Sequence, residues 1–271
     1  MRKKAYLFFV FLMLLFMVDV FISFSGYGGE QNDLYRNIFL FIGQFVTVVC
    51  GFYAIRMYGM RSVMGRSLAF FTSGFLSFLI GGALFSYYDA RLTSSPFPSL
   101  ADGFILLGYP LFFAGLFLEL RKKSLFLQAG TKMLIAFLAL LLALIVFYFE
   151  IYIPYDMTSS LFVTAVQTAY GVADLVLIIL FIFVLLLALS FKGGKLFYVW
   201  FCFFIGFILT LVGDILFGVF VNDYLSKTGI NIYIDLIWRF AYVFFSFGLF
   251  LAGMVVASIQ SNVMLKITKK D

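Results

Sequence analysis

Eight apolar runs separated by short polar turns account for most of this chain: Ala5–Phe24, Ile38–Ile55, Leu68–Tyr88, Phe104–Leu120, Met133–Ile153, Leu161–Phe191, Leu196–Val221 and Ile232–Ser258. Their lengths lie near or above the roughly 20 residues that a helix needs to cross the hydrocarbon core of a bilayer. None carries the in–out alternation of a membrane barrel strand, and backbone groups in lipid must bond within their own segment, so the pattern predicts helices. The expected fold is all-α, a polytopic membrane protein of eight transmembrane helices in a single domain over residues 1–271. The sixth span is too long for a helix perpendicular to the membrane and predicts a tilt or an extension. The fourth contains Pro110, which frees a carbonyl near Leu106 and predicts a kink. Met1–Phe24 carries Asp19 and no clear small-x-small cleavage site, so it is expected to be the first helix and not a signal peptide.

The polar interruptions recur along the chain. Gly82-Ala-Leu-Phe85, a polar loop, Asp102, Tyr109 and Gly115-Leu-Phe-Leu118 are matched by Asp214-Ile-Leu-Phe217, a polar loop, Asp235, Tyr242 and Gly248-Leu-Phe-Leu251. From Asp102 and Asp235 onward the two stretches align without a gap at an offset of 133 residues. The pattern predicts two tandem four-helix repeats, residues 1–125 and 126–260, followed by a short basic tail over 261–271. Four helices per copy gives the copies the same orientation, related by an axis along the membrane normal. The match is clear for spans 3–4 against 7–8 and faint for spans 1–2 against 5–6. Glycines at 43, 51, 74, 82, 108, 115, 206, 213, 248 and 253 suit close helix packing.

Composition agrees with a membrane chain: 64% hydrophobic, 12% charged and a mean hydropathy of +1.11. The net charge of +6 reads as topology and not as a nucleic-acid surface. Arg2, Lys3, Lys4, Arg56, Arg61, Arg66, Arg121, Lys122, Lys123, Lys132, Lys192, Lys195, Lys266, Lys269 and Lys270 fall on the side of the N-terminus. Arg36, Arg91, Lys227 and Arg239 fall toward the other. Both termini are therefore expected in the cytoplasm. Cys50 and Cys202 each sit alone in an apolar run and read as small core residues. With no histidine and no metal-binding or phosphate-loop motif, no cofactor or metal is expected.

Ionisable side chains inside membrane helices are costly and mark functional sites by default. Counting about 1.5 Å per residue, Asp214 and Arg239 each lie roughly 10 Å below the outer ends of their helices. Their counterparts in the first copy are Gly82 and Leu106, so the two charges are expected to pair with each other. Asp19 and Asp174 also reach the outer third and have no evident basic partner. Gln44, Gln167, Tyr109, Tyr170 and Tyr242 lie between, and Asp102 and Asp235 stand at the outer mouths of their helices. The last two either cap helix N-termini or join a site. Glu119 and Glu150, close to helix ends, read as solvated. Apart from its rim the inner half is nearly pure Phe, Leu and Val, so the arrangement predicts an acidic pocket open outward and closed below. The forty phenylalanines read as lipid-facing and packing residues.

The stretch Pro98-Ser-Leu-Ala-Asp102-Gly-Phe-Ile-Leu-Leu-Gly-Tyr109-Pro110-Leu with Gly115-Leu resembles a membrane module of prokaryotic signalling proteins. That module is the N-terminal multi-helix region before some diguanylate cyclases, phosphodiesterases and archaeal histidine kinases. Ala169-Tyr-Gly-Val-Ala-Asp174-Leu-Val-Leu, Gly213-Asp214-Ile-Leu-Phe217 and Asp235-Leu-Ile-Trp238 followed by Tyr242 fit the same pattern. The resemblance spans helices 3, 4, 6, 7 and 8. It implies a sensor in the plasma membrane of a prokaryote. No output domain precedes Lys269-Lys270-Asp271, so the implied signal passes to a separate cytoplasmic or membrane protein.

The expectation is a non-enzymatic module that binds a small ligand or cation, with membrane lipids and a signalling protein as partners and no nucleic acid. An ion- or proton-coupled transporter or channel is the alternative. An intramembrane aspartyl protease would use Asp174 and Asp214, the latter within Leu211-Val-Gly213-Asp214. Against it, Leu211 stands where the motif wants Gly, Ala173 replaces the tyrosine, and no Pro-Ala-Leu element follows. Retinal binding is excluded because no lysine lies within a span. A structural subunit of a larger membrane complex is the remaining class.

Overall fold

The computed structural model describes residues 2–26, 32–92, 96–121, 129–153, 160–191 and 194–267. Nine α-helices occur among them: α1 (Arg2–Ser25), α2 (Asn32–Tyr58), α3 (Val63–Arg91), α4 (Leu100–Leu120), α5 (Ala129–Val146), α6 (Leu161–Ser190), α7 (Lys195–Val219), α8 (Val221–Leu225) and α9 (Ile230–Ile267). All but α8 are long and apolar enough to cross a membrane. No strand occurs among the described residues. Of the basic residues that set the expected topology, Lys122, Lys123, Lys192, Lys269 and Lys270 lie outside the described residues, as do residues 268–271 of the tail.

The helices outrun the apolar pattern because polar residues start them. Ser62 Oγ accepts the amide of Gly65 at 2.8 Å and starts α3 at Val63, ahead of the run's Leu68; Ser160 Oγ accepts the amide of Val163 at 3.3 Å and caps α6 at the first residue of its run. α4 runs unbroken through Pro110. The fifth span ends in an unexpected feature: α5 continues as a π-helical segment, Phe147–Tyr152, in which the amide of Ile153 reaches back five residues to the carbonyl of Tyr148 at 3.0 Å. π turns are rare and recur at functional positions.

Six helices close a ring in the order α2, α3, α4, α6, α7, α9 and back to α2. α1 lies outside it against α9 and α2, and α5 lies outside against α6, with its π segment on α6 and α7. The ring is filled by phenylalanine. Phe71, Phe75, Phe112, Phe203, Phe207 and Phe245 are all buried. Phe71 meets Phe203 at 5.0 Å between ring centroids, and Phe75 meets both Phe112 at 4.8 Å and Phe245 at 4.7 Å. Phe207 closes the cluster on Phe112 at 5.7 Å and Phe245 at 5.1 Å. Such rings attract through contact and edge-to-face geometry, which matters in lipid, where transfer from water no longer drives helices together.

Glycines admit these rings. A Cβ on Gly74 would lie 2.5 Å from the Phe112 ring, and one on Gly206 the same distance from the Phe245 ring. All ten glycines singled out from the sequence have atoms of another helix within van der Waals reach or closer. Cys50 and Cys202 are buried free thiols.

Candidate functional site

The polar side chains gather in the half of the bundle that carries the α1–α2, α3–α4, α5–α6 and α7–α9 connections, here called the far end. They form two groups, one on each side of the ring.

The first group joins α1, α2 and α9. Arg239 Nη1 donates to Asp19 Oδ1, both side chains being buried. Arg239 Nη2 stands 3.5 Å from Asp235 Oδ2, which also accepts from Arg36 Nη2 at 2.6 Å. Arg36 reaches Asp33 at 2.9 Å, and Lys227, from the loop before α9, donates to Asp33 at 2.7 Å. That bond holds the Lys227 ammonium above its ordinary range. Tyr224 on α8 donates to Asp235 Oδ1 at 2.8 Å; burial first, and the Asp235 charge next, push its phenol above the usual range. Carboxylates and guanidinium groups alternate here, so each buried charge faces its opposite.

The second group joins α4, α6, α7, α9 and the π segment. Tyr109 donates to Asp174 Oδ1 at 3.2 Å, and Trp238 Nε1 donates to Asp214 Oδ1 at 2.8 Å. Asp174 lies within hydrogen-bonding reach of both Glu150 and Asp214. Asp214 Oδ2 and Glu150 Oε1 are buried and receive no hydrogen bond among the described residues. One step toward the end of α4, Tyr170 donates to Asp102 Oδ1 at 2.7 Å, while Ser99 donates its amide and hydroxyl to Asp102 Oδ2, each at 2.7 Å. No arginine or lysine is bonded to these acids among the described residues. No group of three acidic, His or Cys side chains there is arranged to hold a metal ion.

Between the groups, Gln44 Nε2 donates to the Tyr242 hydroxyl at 3.1 Å, and Thr47 shares a 2.7 Å hydrogen bond with Ser246. Gln167 is half-buried and takes no part in these contacts. Two hollows adjoin this layer. One, of about 30 Å³, is lined by Asp19, Gly43, Arg239, Tyr242 and Ser246 among others; the second, of about 10 Å³, lies beneath Tyr109 and Tyr242. Both are of water size.

Several expectations are corrected by this geometry. Asp214 and Arg239 do not pair: Arg239 turns to Asp19, and the adjacent Trp238 turns to Asp214. Successive residues of a helix point about 100° apart, so equal depth did not imply a shared face. Asp19 therefore does have a basic partner. Asp235 does not cap α9, because that helix begins at Ile230, and it serves in the ion-pair group instead. Asp102, at the third position of α4, both caps and bonds Tyr170. Glu119 is buried near Tyr58 and Glu150 is turned into the bundle, so neither is a solvated helix end. The acids expected to line an open pocket are instead bonded across the bundle.

Sequence reasoning misses Asp33, Tyr224, Thr47 and Ser246, reaches Trp238 only within a motif, and reads Arg36 and Lys227 only for topology. The signal for Asp33 was present as an acid three residues before Arg36, a spacing that places both on one helix face. The fold and these groups define the class of the chain as an all-helical protein with eight helices fit to span a membrane. Family models, curated proteins and solved structures were each searched, and none matches the chain.

Proposed function

We propose that this protein is a sensing module of a prokaryotic plasma membrane, with both termini in the cytoplasm and its far end facing outward. A small ligand or cation is received in the polar outer half, and a separate signalling protein reads the state of the bundle from the cytoplasmic side. The observation that carries this reading is the seal beneath the polar layer: six buried phenylalanines fill the ring below Tyr109 and Tyr242. A module that responds without passing its ligand needs such a floor, whereas a conductor needs a path through it.

The same reading treats the chain as two copies of one four-helix unit. Its support is the pairing of equivalent contacts: Gly74 under Phe112 corresponds to Gly206 under Phe245, and Phe71 meets its own counterpart, Phe203.

Transport of a proton or cation is the second reading, favoured by one observation: Asp174 and Asp214 are bonded to no basic side chain among the described residues. Purification from native membranes in mild detergent, with mass spectrometry of what accompanies the protein, is paired with flux assays in liposomes. Sensing gives a stoichiometric kinase, cyclase or other signalling partner and no net flux of protons, sodium or potassium. Uptake that disappears in Asp174→Asn, with no partner present, decides for transport.

A further inference from the structure

The two halves of the bundle treat a buried peripheral carboxyl differently. On one side α1 brings Asp19 against α9, where Arg239 supplies the countercharge. On the other, α5 and its π segment bring Glu150 inward, but the residue of α4 that corresponds to Arg239 is Leu106. Glu150 instead meets Asp174, which also meets Asp214. Three carboxyl groups thus converge from three helical segments, and two donors serve them, Tyr109 and Trp238. Two of their oxygens, Asp214 Oδ2 and Glu150 Oε1, are buried with no donor among the described residues. Three adjacent negative charges in a low-dielectric interior repel strongly, and a proton shared between two of them removes one charge and supplies a donor. The position that Arg239 fills on the first side is, on the second, a vacancy in charge.

We infer that Glu150, Asp174 and Asp214 form a proton-binding site whose occupancy holds α5 against α6 and α7. A proton taken from the far-end aqueous phase converts one carboxylate to a carboxylic acid, and its O–H donates to a neighbouring carboxylate oxygen. Among the described residues, the other groups facing the cluster are Tyr109 and Asp102 from α4, Tyr170 from α6, and Tyr242 with the non-titrating Trp238 from α9. None brings a positive charge. The site is built for close approach: a Cβ on Gly218 of α7 would stand 3.1 Å from Glu150 Cγ, and Gly171 of α6 lies against Ile151 of the π segment. Besides the cluster, α5 is held by Val146 and Leu142 against Ile178 and Leu211, while much of its length, from Met133 to Leu144, is exposed at the bundle surface. Loss of the proton sets Glu150 against two acids and releases the helix that carries it. This inference rests on the sensing reading above and names its stimulus.

The test uses full-length protein in liposomes and reads the infrared C=O stretch of protonated carboxyl groups across a pH series, with and without sodium. In parallel, spin labels at Leu141→Cys on α5 and Val212→Cys on α7, in a Cys50→Ala/Cys202→Ala background, report the distance between the helices. The expected result is a protonated-carboxyl band in the wild type that bleaches as pH rises. Its titration shifts in Glu150→Gln, Asp174→Asn and Asp214→Asn and stays put in Asp223→Asn. The label distance lengthens over the same pH range, and sodium changes neither. Absence of the band at every pH at which the protein stays folded overturns the site, and the wild type alone suffices for that reading. A band lost on adding sodium overturns the proton as occupant, and a titrating band with a fixed label distance overturns the coupling to α5. Proton flux with the same titration would overturn sensing and leave the proton site standing.

Discussion

Asp19 and Arg239 are each nearly sealed from solvent and are each other's partner. Two charges buried together recover much of their desolvation cost from each other, and removing one strands the other. Arg239→Ala should therefore destabilise the detergent-solubilised protein by about 3–5 kcal/mol. Asp19→Asn with Arg239→Gln should recover most of that loss, because neither neutral side chain is left as an unpaired charge. Denaturant titration of the two variants against the parent measures both. A loss below about 1 kcal/mol in Arg239→Ala is the value of an exposed pair, and would mean the guanidinium reaches water. The pairing also marks the limit of reading residues from sequence. Depth along a helix follows from counting at about 1.5 Å per residue. Azimuth against the neighbours does not follow, because it depends on which helices adjoin. Equal depth therefore leaves open which carboxylate Arg239 meets, and nothing in the sequence marks the π turn that aims Glu150 inward.

Among elements, the contacts that position the site are made by small residues beneath large rings. Gly206 sits where a single added carbon would stand 2.5 Å from the Phe245 ring, and that ring is packed against Phe75, Phe203 and Phe207. Gly206→Ala should lower stability by about 1–3 kcal/mol, the usual cost of overpacking a filled core. Gly103, on the exposed face of α4, meets nothing within 4 Å, so Gly103→Ala should be neutral or gain up to about 1 kcal/mol from helix propensity. Melting curves of the two variants in one detergent separate packing from propensity; equal shifts would mean α7 and α9 separate easily. The eight long helices were legible because apolar length is what a membrane demands. Their ends were less so. α9 begins at Ile230 and not Ile232, and α2 at Asn32 and not Ile38, where the Asp33–Arg36 ion pair lies ahead of the apolar run. The ring order of six helices with α1 and α5 outside was not written in any one segment, because it arises from contacts between them.

At the scale of the whole molecule, the proposal stands on direction: the polar half must face out and the basic rim in. Cysteine labelling decides it. In a Cys50→Ala/Cys202→Ala background, Tyr87→Cys at the far end of α3 should react with a membrane-impermeant maleimide added to intact cells. Met60→Cys, in the turn before α3, should react only after the cells are opened; both positions are exposed in the bundle. The opposite pattern would turn the acids toward the cytoplasm and remove the outward-facing site.

Given that direction, the aromatic floor becomes the element that separates sensing from conduction. Each of the six rings touches at least two others, so the seal is cooperative, and thinning it at one point leaves neighbours to close the gap. Removing two rings from opposite sides of the floor does not. Phe75→Ala with Phe207→Ala takes away members that meet Phe112 and Phe245 from either side and opens a cavity next to the hollow under Tyr109 and Tyr242. Water entering there would join the carboxyl layer to the inner half of the bundle. The double variant should therefore leak protons across liposomes in which the wild type is tight, and the leak should fall when Asp174→Asn is added. A wild type that already conducts would show that the floor opens unaided and would assign the molecule to transport. A folded double variant that stays tight would mean the polar half does not lead to the floor at all.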